Sequence, residues 1–131
     1  MFHYRVINYP EFVKFNYMHE FSLAVEVLKL AQTEADKNRT RSVSEITIEV
    51  GNMCGVDAEP FQSALELLSE GSILENACLN IVKIKGKGIC ISCDNEFEMD
   101  QRMDTCPGCG SFPSEIRGGN EFRVVSLMVE D

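Results

Sequence analysis

Four cysteines in two tight pairs, Cys90-Ile91-Ser92-Cys93 and Cys106-Pro107-Gly108-Cys109, constrain this chain more than anything else in it. Each pair can present two thiolates to one tetrahedral ion, and the twelve residues between the pairs suffice for a hairpin that folds one back onto the other. The spacing predicts a structural zinc site made by Cys90, Cys93, Cys106 and Cys109. Such a site fills all four coordination positions, so it has no room for a catalytic water and its work is folding. Closed sites of this kind supply on the order of 10–16 kcal/mol of apparent binding energy to lobes too small to fold alone. Gly110, just after the second pair, suits the positive φ needed where backbone N–H groups turn toward sulfur. Asp94, at the matching place after the first pair, is less permissive but compatible.

Two other uses of such pairs compete. A disulfide framework belongs to secreted chains, yet residues 1–17 are interrupted by Arg5, Pro10, Glu11 and Lys14 and hold no apolar core of signal-peptide length. The expected location is therefore the reducing cytoplasm. A redox Cys-x-x-Cys needs only one pair, placed beside a βαβ pattern, whereas here both pairs sit in a segment rich in Gly, Asp, Asn and Pro.

With 131 residues the chain can build one ordinary domain or two very small ones. No run of about 18 apolar residues exists, so no membrane span is expected. The net charge of −9 argues against nucleic acid, whose binding rests on Lys and Arg neutralising phosphates. Around the cysteines the sign is the same: between residues 86 and 121 the basic Lys87, Arg102 and Arg117 face Asp94, Glu96, Glu98, Asp100, Asp104, Glu115 and Glu121.

Residues 1–17 hold Phe2, Tyr4, Tyr9, Phe12, Phe15 and Tyr17, six of the chain's eleven aromatics. A break in composition of this kind marks either an added strand or a segment outside the native domain; the expectation is an N-terminal extension outside it. From about His19 to Lys37, Ser22, Glu26, Lys29, Thr33, Asp36 and Lys37 recur at helical spacing opposite Phe21, Ala24, Val25, Leu28 and Ala31, which predicts an amphipathic helix. Glu45 to Val50 alternates strictly, placing Ile46, Ile48 and Val50 on one face of a strand that Gly51 ends. Asp57 is a plausible N-cap for a second helix with Pro60 in its first turn, an apolar stripe of Phe61, Ala64, Leu65 and Leu68, and Gly71 as its stop. A strand from about Leu79 to Lys85 leads into the cysteine segment. Beyond it, Ser114–Arg117 and Phe122–Val129 read as two strands, and Gly118-Gly119-Asn120 between them as a hairpin turn. The fold expected is α+β: two helices packed on a small β-sheet, with an inserted four-cysteine zinc-ribbon-like domain at residues 86–121 and the main domain formed by residues 18–85 and 122–131.

Little else carries chemistry. The only imidazoles are His3 and His19, no nucleophile–base pairing or phosphate loop is visible, and Cys54 and Cys78 read as buried small hydrophobes, so no enzyme is expected. His19 lies in Met18-His19-Glu20, at the start of the first helix.

That start, Met18-His19-Glu20-Phe21-Ser22-Leu23-Ala24, resembles the opening of the HypA/HybF hydrogenase nickel-incorporation proteins. The likeness continues through the strand ending Val50-Gly51, the helix Phe61 to Leu68, and the two pairs with Cys106-Pro107-Gly108-Cys109-Gly110-Ser111, so it runs from Met18 to the C-terminus. The resemblance implies a nickel metallochaperone delivering Ni(II) during maturation of nickel–iron hydrogenase and, in some organisms, urease. It further implies a nickel site of the His19 imidazole with nitrogens of Met18 and Glu20, the Glu20 carboxylate orienting the site, and Zn(II) as a resident ion beside Ni(II) as cargo. The implied partners are a nickel-handling GTPase, the hydrogenase large subunit and urease accessory proteins, with the chaperone itself a monomer or homodimer.

The chain departs from the family in one place. Family members begin at the methionine that is Met18 here, and with 17 residues ahead of it Met18 offers a peptide nitrogen in place of a free amine. Either the native protein begins at Met18, or the extension is real and Met1-Phe2-His3 adds an amine, two amides and an imidazole, a generic square-planar motif. The competing reading is a zinc-ribbon protein-interaction module with no role in nickel delivery.

Overall fold

In the computed structural model the backbone of residues 4–12 and the whole of residues 20–130 are described. The elements in chain order are β1 (Tyr4–Phe12), α1 (Glu20–Lys37), β2 (Ser42–Gly51), α2 (Ala58–Ser69), β3 (Cys78–Ile84), β4 (Gly86–Cys90), β5 (Glu96–Met99), β6 (Pro113–Arg117) and β7 (Phe122–Glu130). Met1-Phe2-His3 and Met18-His19 fall outside the described residues.

The strands form two sheets. One has the order β1-β7-β2-β3, with β7 antiparallel to both neighbours and β3 parallel to β2; the other has the order β5-β4-β6. Because β2 and β3 are parallel they need a crossover, and α2 supplies it. The α+β architecture expected from the sequence is present, with the small sheet inserted between β3 and β7.

The alternation of β2 does what its sequence requires: Ile46, Ile48 and Val50 are buried, beside Phe122, Val124, Leu127 and Val129 of β7. This apolar face packs under the two helices, in one cluster with Leu23, Ala24, Val27, Ala31, Phe61 and Leu65. At its centre Phe61 of α2 meets Phe122 of β7 edge to face, with ring centroids 5.0 Å apart. The chain leaves α2 at Glu70 (φ −60°, ψ 126°), and Gly71, φ +72°, takes the positive-φ place of the type II turn that Ser72 N–H closes onto Ser69 O at 3.0 Å.

Three expectations are corrected. The buried stripe of α1 is Leu23, Ala24, Val27, Ala31 and Ala35; Phe21 is 52% exposed, and Val25 and Leu28 are only half-buried. Apolar residues surround this helix, so periodicity alone selects the wrong phase. Cys78 is exposed, since it opens β3 at the edge of the sheet, while Cys54 is half-buried against the core. Nor do β6 and β7 form a hairpin: they belong to different sheets, and Gly118-Gly119-Asn120 is the return path between the lobes.

That path is tight. Gly51 N–H donates to Glu121 O and Met53 N–H to Gly119 O, both at 2.6 Å. Gly119 has φ +79°, and a Cβ there would lie 2.8 Å from Gly86 Cα and 2.9 Å from Met53 Cγ. Gly119→Ala is expected to cost about 3 kcal/mol or more in denaturant unfolding, combining left-handed strain with overpacking. Gly71→Ala, with nothing within 4 Å of the new methyl, should cost only about 1 kcal/mol; equal losses would contradict the crowding assigned to the junction.

Candidate metal centre

The four cysteines come together although twelve residues separate the pairs. Their Sγ atoms all lie within 4.8 Å of one another, the one such group of ligating side chains among the described residues. Cys90 Sγ is 3.2 Å from Cys109 Sγ, and Cys93 Sγ is 3.8 Å from both Cys106 and Cys109. A tetrahedral ion with metal–sulfur bonds of about 2.3 Å sets its sulfurs about 3.8 Å apart, so the donors fit a thiolate-bound tetrahedral metal. All four thiols are free, and none of these separations is that of a disulfide.

Two turns of the same construction build the site. Asp94 N–H donates to Cys90 O at 3.0 Å and Gly110 N–H to Cys106 O at 2.7 Å; Cys90 N–H then donates to Asn95 O and Cys106 N–H to Ser111 O. Each turn needs a left-handed residue after its second cysteine, and Asp94 (φ 59°) and Gly110 (φ 76°) fill that place as the sequence led us to expect. The hydroxyls of Ser92 and Ser111, 2.8 Å apart, tie one turn to the other. Sequence reasoning passed over these serines and Asn95. The signal that could have found them is the equivalence of Cys90 to Asn95 with Cys106 to Ser111.

Electrostatics describe the same crowding. Hydrogen bonds from the Ser111 hydroxyl and backbone bring the Cys109 thiol down to about 6. At Cys93 the Asn95 backbone pulls downward, but the thiols of Cys90, Cys106 and Cys109, together with desolvation, outweigh it and push the group up to about 12. Four sulfurs this close do not all ionise unless a cation lies between them.

The lobe's core consists of Cys90, Phe97, Met99 and Cys106, with Ile116 against them and Met53 inserted from the loop after β2. Arg102, from the segment between the cysteine pairs, donates to Met53 O at 2.8 Å. Neither Met53 nor Arg102 stands out in the sequence, because a methionine in a loop and a charged residue between turns are ordinary.

The same loop reaches the start of α1. Asp57 has the extended backbone of an N-cap (φ −82°, ψ 115°), yet its side chain caps nothing; its own N–H donates to Glu20 Oε1 at 3.1 Å. Of the three residues named for nickel, Glu20 is thus held against the start of α2, and Met18 and His19 lie outside the described residues. One loop, residues 52–57, therefore touches both regions: Met53 packs in the core of the cysteine lobe and Asp57 bonds Glu20.

Comparison with known proteins covers both regions. A family model described as hydrogenase/urease nickel incorporation, metallochaperone, hypA matches residues 18–129. A hydrogenase maturation factor HypA from Francisella philomiragia is 37% identical over 111 residues, 85% of this chain and 98% of its own length. The one from Cupriavidus necator is 35% identical over 114 residues, 87% of this chain and 96% of its own. The solution structure of the Ni metallochaperone HypA from Helicobacter pylori aligns with a TM-score of 0.56 at 30% identity, covering 84% of this chain and 96% of that one. Agreement in sequence over nearly the whole of each relative, together with a shared fold, means that this chain belongs to the HypA family of hydrogenase and urease nickel-incorporation metallochaperones, maturation factors and not enzymes.

Proposed function

We propose that this chain binds Ni(II) at Met18-His19-Glu20 and delivers it during maturation of nickel–iron hydrogenase, while Cys90, Cys93, Cys106 and Cys109 hold Zn(II) permanently. The observation that carries this reading is that the span shared with the family opens on Met18, so the Met-His-Glu start coincides with the start of the matched body. An imidazole and neighbouring peptide nitrogens suit Ni(II), which favours square-planar nitrogen ligation. Glu20 contributes its backbone nitrogen and, through the bond from Asp57 N–H, a carboxylate held in place at the mouth of the helix. Here Met18 supplies a peptide nitrogen; in a chain beginning at Met18 it would supply an amine.

Zinc is assigned to the cysteines on donor chemistry: four soft sulfurs in a closed tetrahedron hold an ion for structure and leave no position for exchange. In this reading residues 18–85 and 122–131 form the nickel-binding body, residues 86–121 the zinc domain, and residues 1–17 an extension to both. Delivery proceeds by ligand exchange to a nickel-handling GTPase and the hydrogenase large subunit, with urease accessory proteins as further recipients in the cytoplasm. Among the described residues no helix is long and apolar enough to cross a membrane.

Titration of the purified protein should give one Ni(II) per chain, falling to near zero in His19→Ala while zinc content stays unchanged. Full nickel binding in that variant would remove the site from His19. Binding should also weaken as pH falls through the range where an ordinary imidazole takes up its proton, about 6.5, because the protonated ring cannot ligate.

Cys93→Ser should lose the zinc and bring fast amide exchange to residues 86–117, with slow exchange retained in β2 and β7. Loss of protection throughout would show that the body depends on the metal as well.

A further inference from the structure

We infer that the cleft between α2 and the start of β3 takes an arginine side chain presented by a segment of a partner protein. The inference does not depend on the nickel reading. It begins with a cavity of about 300 Å³ between the end of α2 and the loop that leads into β3. Gln62, Glu66 and Ser69 reach it from α2 at positions i, i+4 and i+7, one stripe of the helix. From the other side the loop brings Leu74 and Glu75, and β3 brings Leu79. Leu74 is fully buried, whereas Glu66 and Glu75 are exposed, so the cleft has an apolar wall and an acidic rim.

The loop is held in shape before anything binds. Ser72 N–H closes a turn onto Ser69 O, Glu75 N–H donates to Ser72 O at 3.1 Å and Ala77 N–H to Leu74 O at 3.0 Å, so turn follows turn without a free stretch between. The Ser72 hydroxyl donates to Ser69 O at 2.7 Å and accepts from Leu74 N–H at 3.0 Å. Val43 N–H of β2 donates to Ile73 O and ties the loop to the sheet. A cleft fixed in this way needs little ordering when it is filled.

Charge and shape select the occupant. From residue 42 to residue 82 the chain has seven carboxylates and no Lys or Arg, so the elements that build the cleft bring no counter-charge of their own. Among the described residues neither Glu66 nor Glu75 is ion-paired. Glu66 accepts from Gln62 Nε2 at 3.2 Å, which leaves the Gln62 carbonyl oxygen as a further acceptor. The rim therefore favours a cationic donor. A metal ion is poorly served, since the four cysteines are the one group of three or more ligating side chains among the described residues. A guanidinium suits better: its planar fork of five N–H donors can address carboxylates from two elements at once, where an ammonium is a point charge. Its aliphatic stem can lie along Leu74 and Leu79. A cavity of about 300 Å³ is at the lower limit for a small-molecule site and suits a single side chain. Beside it runs the next stripe of α2, Ser63, Leu67 and Glu70, with Leu67 65% exposed. That stripe gives the residues flanking the arginine an apolar and an acidic contact, which free arginine would not use.

Amide chemical shifts of the full chain, followed during titration with the acetylated and amidated peptide Ala-Leu-Arg-Leu-Ala, test this. Saturable shifts should appear at Gln62, Glu66, Ser69, Glu75 and Ala77, with the turns at Cys90–Cys93 and Cys106–Cys109 unmoved. Citrulline in place of the arginine keeps the shape and removes the charge, and should weaken binding about tenfold or more, the effect of one charge-assisted hydrogen bond. Glu66→Gln combined with Glu75→Gln should weaken it at least as much; both positions are exposed, and the citrulline comparison on the unaltered protein stands whether or not that variant folds. The lysine peptide and arginine amide alone should each bind more weakly than the arginine peptide. Absence of saturable shifts, equal binding of the citrulline or lysine peptide or of arginine amide, or undiminished binding by the folded double variant would overturn the inference.

Discussion

Two chain crossings between the lobes must converge, and the rest of the molecule is arranged around that requirement. Chain leaves the large sheet from Ile84, opposite Gly51 of β2, and returns at Phe122, opposite Val50 on the other side of the same strand. The crossings therefore start two strand spacings apart, about 10 Å. Within three residues on the outward path Lys87 of β4 is already paired with Arg117 of β6, a single spacing away. Convergence this abrupt leaves a wedge between the lobes, and Met53, just beyond the end of β2, fills it. Gly86 and Gly119 accommodate the methionine because any side chain on either would strike it. The hydrogen bonds of Gly51, Asn52 and Met53 to Glu121, Ile84 and Gly119 then close the seam.

This seam explains how so small a lobe holds together. Cys90 and Cys106 make up a large part of its core, and Met53 is borrowed from the body. The surface pairs Lys87–Glu96 and Lys85–Glu98 are exposed and add little. What remains is the four-sulfur cluster, which a bound metal would cross-link. The rise at Cys93 is the response of a thiol crowded by three others and by desolvation, whereas Ser111 mainly lowers Cys109; a bound cation would stabilise every thiolate.

The sequence was most legible where a residue's local requirement has one solution. The pairs Cys90/Cys93 and Cys106/Cys109, the left-handed places at Asp94 and Gly110, the turn at Gly71 just past α2 and the alternation of β2 all depend on neighbours a few residues away. Legibility failed where the deciding partner is remote. Gly118-Gly119 resembles a hairpin turn until β6 and β7 are assigned to different sheets. The phase of α1 depends on which of its many apolar residues faces β2 and β7. Residues 1–17 differ in composition from the rest, but composition does not reveal that Tyr4–Phe12 lies along β7. Met53 is the extreme case, because its burial depends on two chain crossings more than thirty residues further along. Met18 and His19, the residues on which the nickel reading rests, are known from the sequence and the family match alone.

Under the proposed function one small protein must keep two divalent ions apart, and affinity alone does not do so, since Ni(II) and Zn(II) lie close together in the usual order of binding strength. Geometry separates them better. In that reading the bonds from Asp94 and Gly110 to the carbonyls of Cys90 and Cys106, and the Ser92–Ser111 contact, hold four sulfurs together as donors for a tetrahedral zinc in preference to a square-planar ion. The backbone-and-imidazole site proposed at Met18-His19-Glu20 would offer nickel the planar alternative, with a single side-chain ligand that can be withdrawn. The loop from Gly51 to Asp57 joins these regions, with Met53 in the lobe's core and Asp57 bonded to Glu20. In the proposed function the four-sulfur cluster would thus secure the resident ion, and the sparser site beside Glu20 would leave the cargo free to exchange.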